Sequence, residues 1–229
     1  MQPGPARAHR DVARGRRPAG VLGVVRAIVF VVSLGPLLRL VVLGAGDGLG
    51  ANPVEFVTRS LGTWTLVFLC LGLAISPLRW LGAPAAIVRL RRMLGLYAFF
   101  YASLHFLMYL WLDQWFDWRA IVADIVERPF IAAGFVAWLL MIPLALTSNR
   151  FAMRRLGSRW QLLHRLVYLL VPAGVLHFWW HKAGKNDIGE PAIYALIVAL
   201  LLLARVVRRA RRVGPPDQAG PASRVRSSA

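Results

Sequence analysis

The hydrophobic positions of the chain fall into six long apolar runs, separated by short polar connections. A helix needs about 20 mostly apolar residues to cross the hydrocarbon core of a bilayer. The runs that meet this requirement are residues 21–43, 61–78, 93–112, 130–148, 162–180 and 191–207. The pattern therefore predicts an all-α fold, a polytopic membrane helix bundle with six transmembrane helices.

Charge alternates between successive connections. Arginines dominate the N-terminal tail (residues 1–20), the second and fourth loops and the C-terminal tail (208–229); they include Arg7, Arg10, Arg14, Arg79, Arg89, Arg91, Arg92, Arg150, Arg154, Arg155, Arg159, Arg208 and Arg209. The other three loops are acidic or balanced, with Asp47, Glu55, Arg59, Asp113, Asp117, Asp124, Glu127, Lys182, Lys185, Asp187 and Glu190. By the positive-inside rule both termini are cytoplasmic, and an even number of spans agrees with this.

Composition supports a membrane class, because 58% of the 229 residues are hydrophobic and 17% are charged. The net charge of +18 is carried by loops and tails, so we interpret it as a topology signal. Membrane lipids with anionic head groups are its expected partner. Nucleic acid is not an expected partner, because no recognition fold accompanies the arginines. We expect the tail from residue 208 onward, rich in Pro, Ser and Gly, to be disordered.

Soluble chemistry is sparse in this sequence. The single cysteine, Cys70, excludes an intrachain disulfide and a cysteine-ligated cluster. No glycine-rich dinucleotide fingerprint is present, and about 20 residues follow the last span, compared with the ~100 of a nucleotide-binding domain. If the protein transfers electrons, we therefore expect the primary donor to be another molecule.

Four of the five histidines lie inside or at the ends of the predicted spans: His105, His164, His177 and His181. An ionisable ring in hydrocarbon is costly, so each is a functional candidate. Imidazole is the usual axial ligand of haem iron, and two helices with one inward histidine each can clamp a macrocycle.

Depth along the helices indicates which histidines pair. At ~1.5 Å per residue, His105 lies about 20 Å above Arg92 and His177 about 27 Å above Arg159, whereas His164 lies only about 8 Å above Arg159. His105 therefore pairs better with His177, in the outer half of the bundle. The 13 positions between His164 and His177 span roughly 20 Å, enough for a second cofactor near the other membrane face.

The facing angle within the fifth span is less favourable. Thirteen residues at about 100° each leave His164 and His177 roughly 140° apart around an ideal helix. Pro172 lies between them and removes a backbone donor, so we expect it to allow a kink and local rewinding.

Several short motifs occur between residues 50 and 177 in a specific order. They are Gly50-Ala51-Asn52-Pro53-Val54 with Gly62, Arg91-Arg92-Met93-Leu94-Gly95-Leu96 leading to His105, Glu127-Arg128-Pro129-Phe130, Leu146-Thr147-Ser148, and Trp160-Gln161-Leu162-Leu163-His164-Arg165 with Val167-Tyr168 and His177. Together they resemble the MsrQ (YedZ) family, the haem-binding membrane subunit of the periplasmic protein-methionine-sulfoxide reductase system, a small relative of ferric reductase-like transmembrane domains.

The resemblance implies a multi-pass cytochrome b of the bacterial inner membrane that carries haem b. It implies electron entry from a cytosolic flavin reductase or the quinone pool, and delivery to a periplasmic molybdopterin methionine sulfoxide reductase that repairs oxidised proteins. The chain would then be an electron-transfer subunit rather than the catalytic one. The family is also associated with FMN, whose phosphate would suit the arginines of the second and fourth loops.

One feature departs from the larger relatives, which typically offer two histidines on the third span. The positions 13 or 14 residues from His105 are Arg92, Arg91, Trp118 and Arg119. His164 therefore lacks an obvious histidine partner. We expect one haem on His105 and His177, and a second that is absent or differently ligated.

The remaining candidates carry alternatives. His164 is either a ligand or an interfacial polar residue. His181, one turn beyond His177, is expected to be structural or to contact a haem propionate, or to replace His177 as ligand. Arg39 either pairs with a propionate or extends to the interface. Gly95 and Gly134 permit close helix approach or haem packing.

Two other classes compete with the cytochrome. A small transporter or channel would use His105 and His177 as a proton relay, and inverted repeats or broken spans would favour it. A non-catalytic assembly subunit would hold the same histidines for structural reasons.

Overall fold

The computed structural model describes residues 19–212, and in this range the chain is helical with no strand. Six segments are long and apolar enough to cross a membrane, which confirms the predicted number of spans: Gly23–Ala45, Pro53–Trp80, Ala85–Asp113, Pro129–Leu146, Ser158–Ala183 and Gly189–Arg211. The predictions for residues 1–18 and 213–229 lie outside the described part of the chain.

The helices between residues 19 and 212 are labelled in chain order. They are α1 (Ala19–Ala45), α2 (Pro53–Trp80), α3 (Leu90–Met108), α4 (Trp118–Glu127), α5 (Pro129–Leu146), α6 (Arg150–Leu156), α7 (Ser158–His164), α8 (Val167–Ala183) and α9 (Gly189–Arg212). A 3₁₀ turn, Ala85–Arg89, precedes α3, and a π-helical turn, Tyr109–Asp113, follows it. The third and fifth spans are thus composite.

Helix α2 begins at Pro53 rather than at residue 61. Asn52 caps it, because its side-chain oxygen accepts a hydrogen bond from the Glu55 backbone N–H at 3.1 Å, and proline suits the first helical position. Glu55 and Arg59, predicted in a loop, instead form an ion pair of 3.3 Å along this first stretch of helix. The hydrophobic pattern alone predicts a loop before residue 61, but charged residues form the first turns of α2 there.

Two connections predicted as loops contain short helices. Asp117 caps α4 by accepting hydrogen bonds from the backbone N–H groups of Arg119 and Ala120 at 2.9 and 3.2 Å. Asn149 caps α6 in the same way, accepting from Ala152 at 2.7 Å. Such caps satisfy N–H groups that the first helical turn leaves without partners.

The fifth span is interrupted between α7 and α8, at Arg165 and Leu166, several residues before Pro172. Backbone hydrogen bonds between residues three apart are donated here by Arg165, Leu166, Tyr168 and Leu169, at 2.9–3.1 Å. Such bonds are typical of a 3₁₀ turn, which advances about 120° per residue instead of the 100° of an α-helix. The chain thus departs from an ideal helix between His164 and His177 at Arg165 and Leu166, whereas Pro172 lies inside α8.

Aromatic packing between α2 and α3 joins the peripheral helix α1 to the bundle. Phe68 stacks on Tyr97 and Tyr101, with ring centroids 5.6 and 5.3 Å apart. The Tyr101 hydroxyl donates to the Ser33 carbonyl at 2.8 Å and lies 3.2 Å from the Leu37 N–H that donates to it. Pro36 disrupts the helix ladder here, and the buried tyrosine supplies partners to the backbone groups around it.

Candidate functional site

A cavity of about 1140 Å³ lies among the spans, mainly between α2, α3, α5 and α8. His105, His177, His181 and Arg39 all line it, so the structure brings four of the five predicted site residues together. Pockets for drug-sized ligands measure about 300–1,000 Å³. The cavity therefore has room for a large, flat organic group.

His105 of α3 and His177 of α8 face each other across this cavity. Their ring centroids are 6.0 Å apart and the ring planes are 80° from parallel. The Nδ1 atom of His105 donates a hydrogen bond to the Thr58 carbonyl at 2.8 Å, and that of His177 donates to the Phe130 carbonyl at 2.6 Å. Because a carbonyl only accepts, each Nδ1 carries the proton and each Nε2 keeps a free lone pair.

Two glycines adjoin the rings. A Cβ atom placed on Gly62 would lie 3.2 Å from the His105 ring, and one on Gly134 would lie 2.6 Å from His177 Nδ1. Gly134 therefore has the packing role expected from the sequence. Gly95, on α3, has no neighbour within 4 Å of such an atom.

The pair fits an iron held in a macrocycle. A metal–imidazole nitrogen bond is about 2 Å long and the ring centre lies about 1 Å further away, so two axial ligands place their centroids roughly 6 Å apart. The observed centroid separation is 6.0 Å. Between residues 19 and 212 no group of three or more His, Cys, Asp or Glu residues is placed to hold a metal.

Polar atoms next to the histidines lack protein partners. Thr58 Oγ1 and Arg59 Nε are buried without a hydrogen-bond partner, and both residues line the cavity. Buried polar groups are normally satisfied. These two atoms and Arg39, whose guanidinium carbon lies 5.9 Å from the Phe56 ring centre, are suited to an anionic substituent such as a haem propionate.

Charged residues form the rim at the same end of the cavity. Lys185 donates to Glu55 at 2.8 Å, while the buried ammonium of Lys182 pairs with Asp187 and, at 3.8 Å, with Glu190. The hydrogen bond from Lys182 lowers the pKa of the exposed Asp187 carboxyl.

His181 packs on Phe130, with 5.6 Å between the ring centroids, and does not face His105 as His177 does.

A second polar cluster connects the π-helical turn to α4. Asp124 accepts hydrogen bonds from the Tyr109 hydroxyl at 3.1 Å and from Gln114 at 2.7 Å, and pairs with Arg128 at 3.1 Å. These residues also line the cavity. Asp124 therefore holds together the end of the third span, α4 and the start of α5.

His164 lies apart from this site and does not line the cavity. Its ring stacks on Trp160 with centroids 3.9 Å apart, and its Nδ1 lies 3.1 Å from the Trp160 carbonyl. Its Nε2 is buried without a partner. No second histidine faces it within the described residues, so its role as a ligand stays a prediction.

Sequence reasoning missed the groups around the histidine rings: the carbonyls of Thr58 and Phe130 and the side chain of Arg59. A weak signal was available, because each histidine follows its carbonyl by 47 residues. In both cases the glycine lies four positions after the carbonyl. The carbonyl, the glycine and the histidine around His177 therefore each lie 72 residues after their counterparts around His105 (58 to 130, 62 to 134, 105 to 177). Every residue supplies a backbone carbonyl, so residue types do not show which carbonyls accept these hydrogen bonds, and the spacing was not recognised.

Comparisons with known proteins agree with the architecture. The family model of the ferric reductase-like transmembrane component matches residues 59–175, which contain most of the cavity wall. No solved structure matches the chain.

Curated relatives match over most of the chain. A protein of Bordetella parapertussis is 55% identical over 196 residues, 86% of this chain and 95% of its own length. One from Ralstonia nicotianae is 57% identical over 190 residues, 82% and 88% of the two chains, and one from Azospira oryzae is 51% identical over 195 residues, 85% and 83%. All three carry the name protein-methionine-sulfoxide reductase heme-binding subunit MsrQ.

Proposed function

The chain belongs to the MsrQ family of multi-pass bacterial inner-membrane proteins with a ferric reductase-like transmembrane component, and we propose that it is the haem-binding, electron-carrying subunit of a methionine sulfoxide reductase system. One observation carries this proposal. Two histidines on different spans face each other at 6.0 Å, each with its Nδ1 bound to a backbone carbonyl. A histidine held through Nδ1 in this way would present its Nε2 atom to a metal.

The chain's own residues would hold the cofactor as follows. His105 and His177 would supply the axial nitrogens, while Arg59 and Arg39 would neutralise propionate charge at the charged rim. The apolar helix walls would exclude water and so stabilise one-electron chemistry against side reactions. A b-type haem supplies reversible iron(III)/iron(II) electron exchange when bound.

The proposed electron path follows from the charge distribution. Arginines at one end of the bundle indicate the cytoplasmic side, and the histidine pair lies towards the opposite end. Electrons would enter from a cytosolic flavin reductase or the quinone pool and leave to a periplasmic molybdopterin methionine sulfoxide reductase. FMN would bind on the entry side, where Arg154 and Arg155 of α6 are exposed, and a second haem would use His164.

Spectroscopy of the purified protein tests the ligand assignment. His105→Ala and His177→Ala should each abolish the same low-spin component of the visible spectrum, because each removes one of two axial ligands of one iron. His164→Ala is the matched control, since His164 is a half-buried histidine outside the cavity, and it should keep that component.

The alternatives give different results. Unchanged spectra in both His105→Ala and His177→Ala would contradict the assignment. A colourless but folded wild-type protein, with both variants impaired in proton uptake by sealed vesicles, would favour the proton relay over the cytochrome.

A further inference from the structure

Gly62 and Gly134 occupy equivalent places in two helix pairs. In α2 and α3 the His105 ring reaches the Thr58 carbonyl, and in α5 and α8 the His177 ring reaches the Phe130 carbonyl. In each pair the glycine lies four residues after the carbonyl and directly beside the ring. Two independent helix pairs thus repeat the same local arrangement.

The spacing of four has a steric cause. In an α-helix the carbonyl of residue i bonds to the N–H of residue i+4. The Cβ of residue i+4 points towards the helix N-terminus, over the turn that contains this carbonyl. An imidazole ring that approaches the oxygen from the side of residue i+4, as those of His105 and His177 do, therefore meets that Cβ wherever it is present.

The steric conflict differs in size between the two glycines and is larger at Gly134. An added Cβ would lie 2.6 Å from Nδ1 of His177, closer than real Cβ contacts allow, and 3.2 Å from the ring of His105, which requires a shift of a few tenths of an ångström. The atoms in conflict belong to imidazole rings that are themselves hydrogen-bonded to backbone. Relief therefore requires the ring to move and its bond to the carbonyl to break or lengthen.

We propose that Gly62 and Gly134 are positioning residues that open the Thr58 and Phe130 carbonyls to the two imidazoles, and so fix the coordinating nitrogens and the near-perpendicular ring planes of the haem ligands. This inference rests on the proposed haem-binding function. It assigns a role to Thr58, Gly62, Phe130 and Gly134, which bind no iron themselves. The orientation of the two histidine rings then depends on two backbone carbonyls. The ring angle of 80° is its observable consequence.

Ligand orientation has a spectroscopic signature. Two imidazoles with parallel planes split the iron d orbitals and give a rhombic low-spin electron paramagnetic resonance spectrum. Perpendicular planes leave two of these orbitals nearly degenerate and give a highly anisotropic signal with a large maximum g value. The wild-type iron(III) protein should show the second type.

Glycine variants test the positioning role. Gly134→Ala should lose or strongly alter the anisotropic signal and retain haem about 10- to 100-fold less well, the usual loss when a ligand's supporting hydrogen bond is removed. Gly62→Ala should shift the signal less, because its conflict with the ring is smaller. Gly72→Ala on α2 and Gly95→Ala on α3 are matched controls with no neighbour within 4 Å of the added atom, and both should match wild type.

Folding is checked separately by circular dichroism and size-exclusion chromatography. Alanine is a better helix former than glycine, so secondary structure should persist in all four variants. A rhombic signal from the wild-type protein would overturn the proposed ring angle, and this test does not depend on the folding of any variant. A Gly134→Ala protein with wild-type signal and haem retention would overturn the positioning role.

These outcomes are distinct from failure of the proposed function. If His105→Ala and His177→Ala lose the low-spin haem while Gly134→Ala is unchanged, only the positioning inference fails. If the histidine variants keep it, the ligand assignment itself is wrong.

Discussion

Two arginine side chains, Arg59 and Arg39, line the cavity. Arg59 has one guanidinium N–H in the interior without a partner, while its other end pairs with Glu55 at 3.3 Å. Arg39 rests against Phe56. Both residues contribute positive charge to the cavity wall.

Neutralising these charges should weaken cofactor retention without removing the axial ligands. We expect Arg59→Gln to speed the loss of haem to a scavenging protein by about tenfold, because charge-assisted hydrogen bonds to a carboxylate are lost. Arg39→Gln should have a smaller effect, since no hydrogen bond orients its guanidinium. Arg79→Gln, at the other end of α2, is the control. Equal rates for Arg59→Gln and wild type would exclude a propionate contact.

The Lys182–Asp187 pair gives a pH-dependent contribution to stability. The folded-state pKa of Asp187 is lowered, so its stabilising effect is complete above the unfolded-state value of about 3.9 and is lost as the pH falls through the lower folded-state value. The difference in melting temperature between wild type and Asp187→Asn should be largest above pH 5 and should vanish at more acid pH. A constant difference from pH 7 to the acid limit would contradict this linkage.

The short helix α4 is held by a single carboxylate. Asp124 accepts from Tyr109 and Gln114 and pairs with Arg128, so three elements depend on it. Asp124→Ala should destabilise the protein by about 2–3 kcal/mol, because it leaves partly buried donors without an acceptor. Limited proteolysis should then cleave near α4. The exposed Glu127→Gln on the same helix should have little effect, and equal protease resistance of both variants would refute the role of Asp124.

At the level of elements, the sequence was sufficient to predict the helices whose positions depend on hydrophobicity. The number of spans and the fourth span's bounds follow from apolar runs, because lipid demands them. The pattern could not show that α2 begins at Pro53, since Asn52 capping and the Glu55–Arg59 pair stabilise a polar helical start. It also missed α4 and α6, whose stability depends on local caps and on tertiary hydrogen bonds.

For the site, residue type identified the candidate ligands and left out their surroundings. His105 and His177 were paired from depth alone, and the structure places them face to face. The Thr58 and Phe130 carbonyls had no signal in the sequence beyond their shared spacing from the histidines, because any residue supplies a backbone oxygen and only helix packing shows which one a ring reaches. A kink was expected at Pro172, because a proline is visible in a sequence, whereas the helix is interrupted at Arg165, where the hydrogen bonds are of the 3₁₀ type.

At the scale of the whole molecule, the two ends of the bundle differ in chemistry. The histidine pair and the acid–base rim lie near one end, and the arginines of α6 and of the C-terminal part of α9 lie near the other. The difference between the two ends fits the proposed path of electrons from one membrane face to the other.

Electron transfer in sealed vesicles of known orientation tests this account most directly. A flavin reductase with reduced nicotinamide, or a quinol, supplied on the arginine-rich side should reduce the haem of wild type and of Arg79→Gln, but not of His177→Ala. Reoxidation should then require a periplasmic acceptor on the opposite side. Reduction by a donor confined to the histidine-proximal side, with none from the arginine-rich side, would contradict both the orientation and the path.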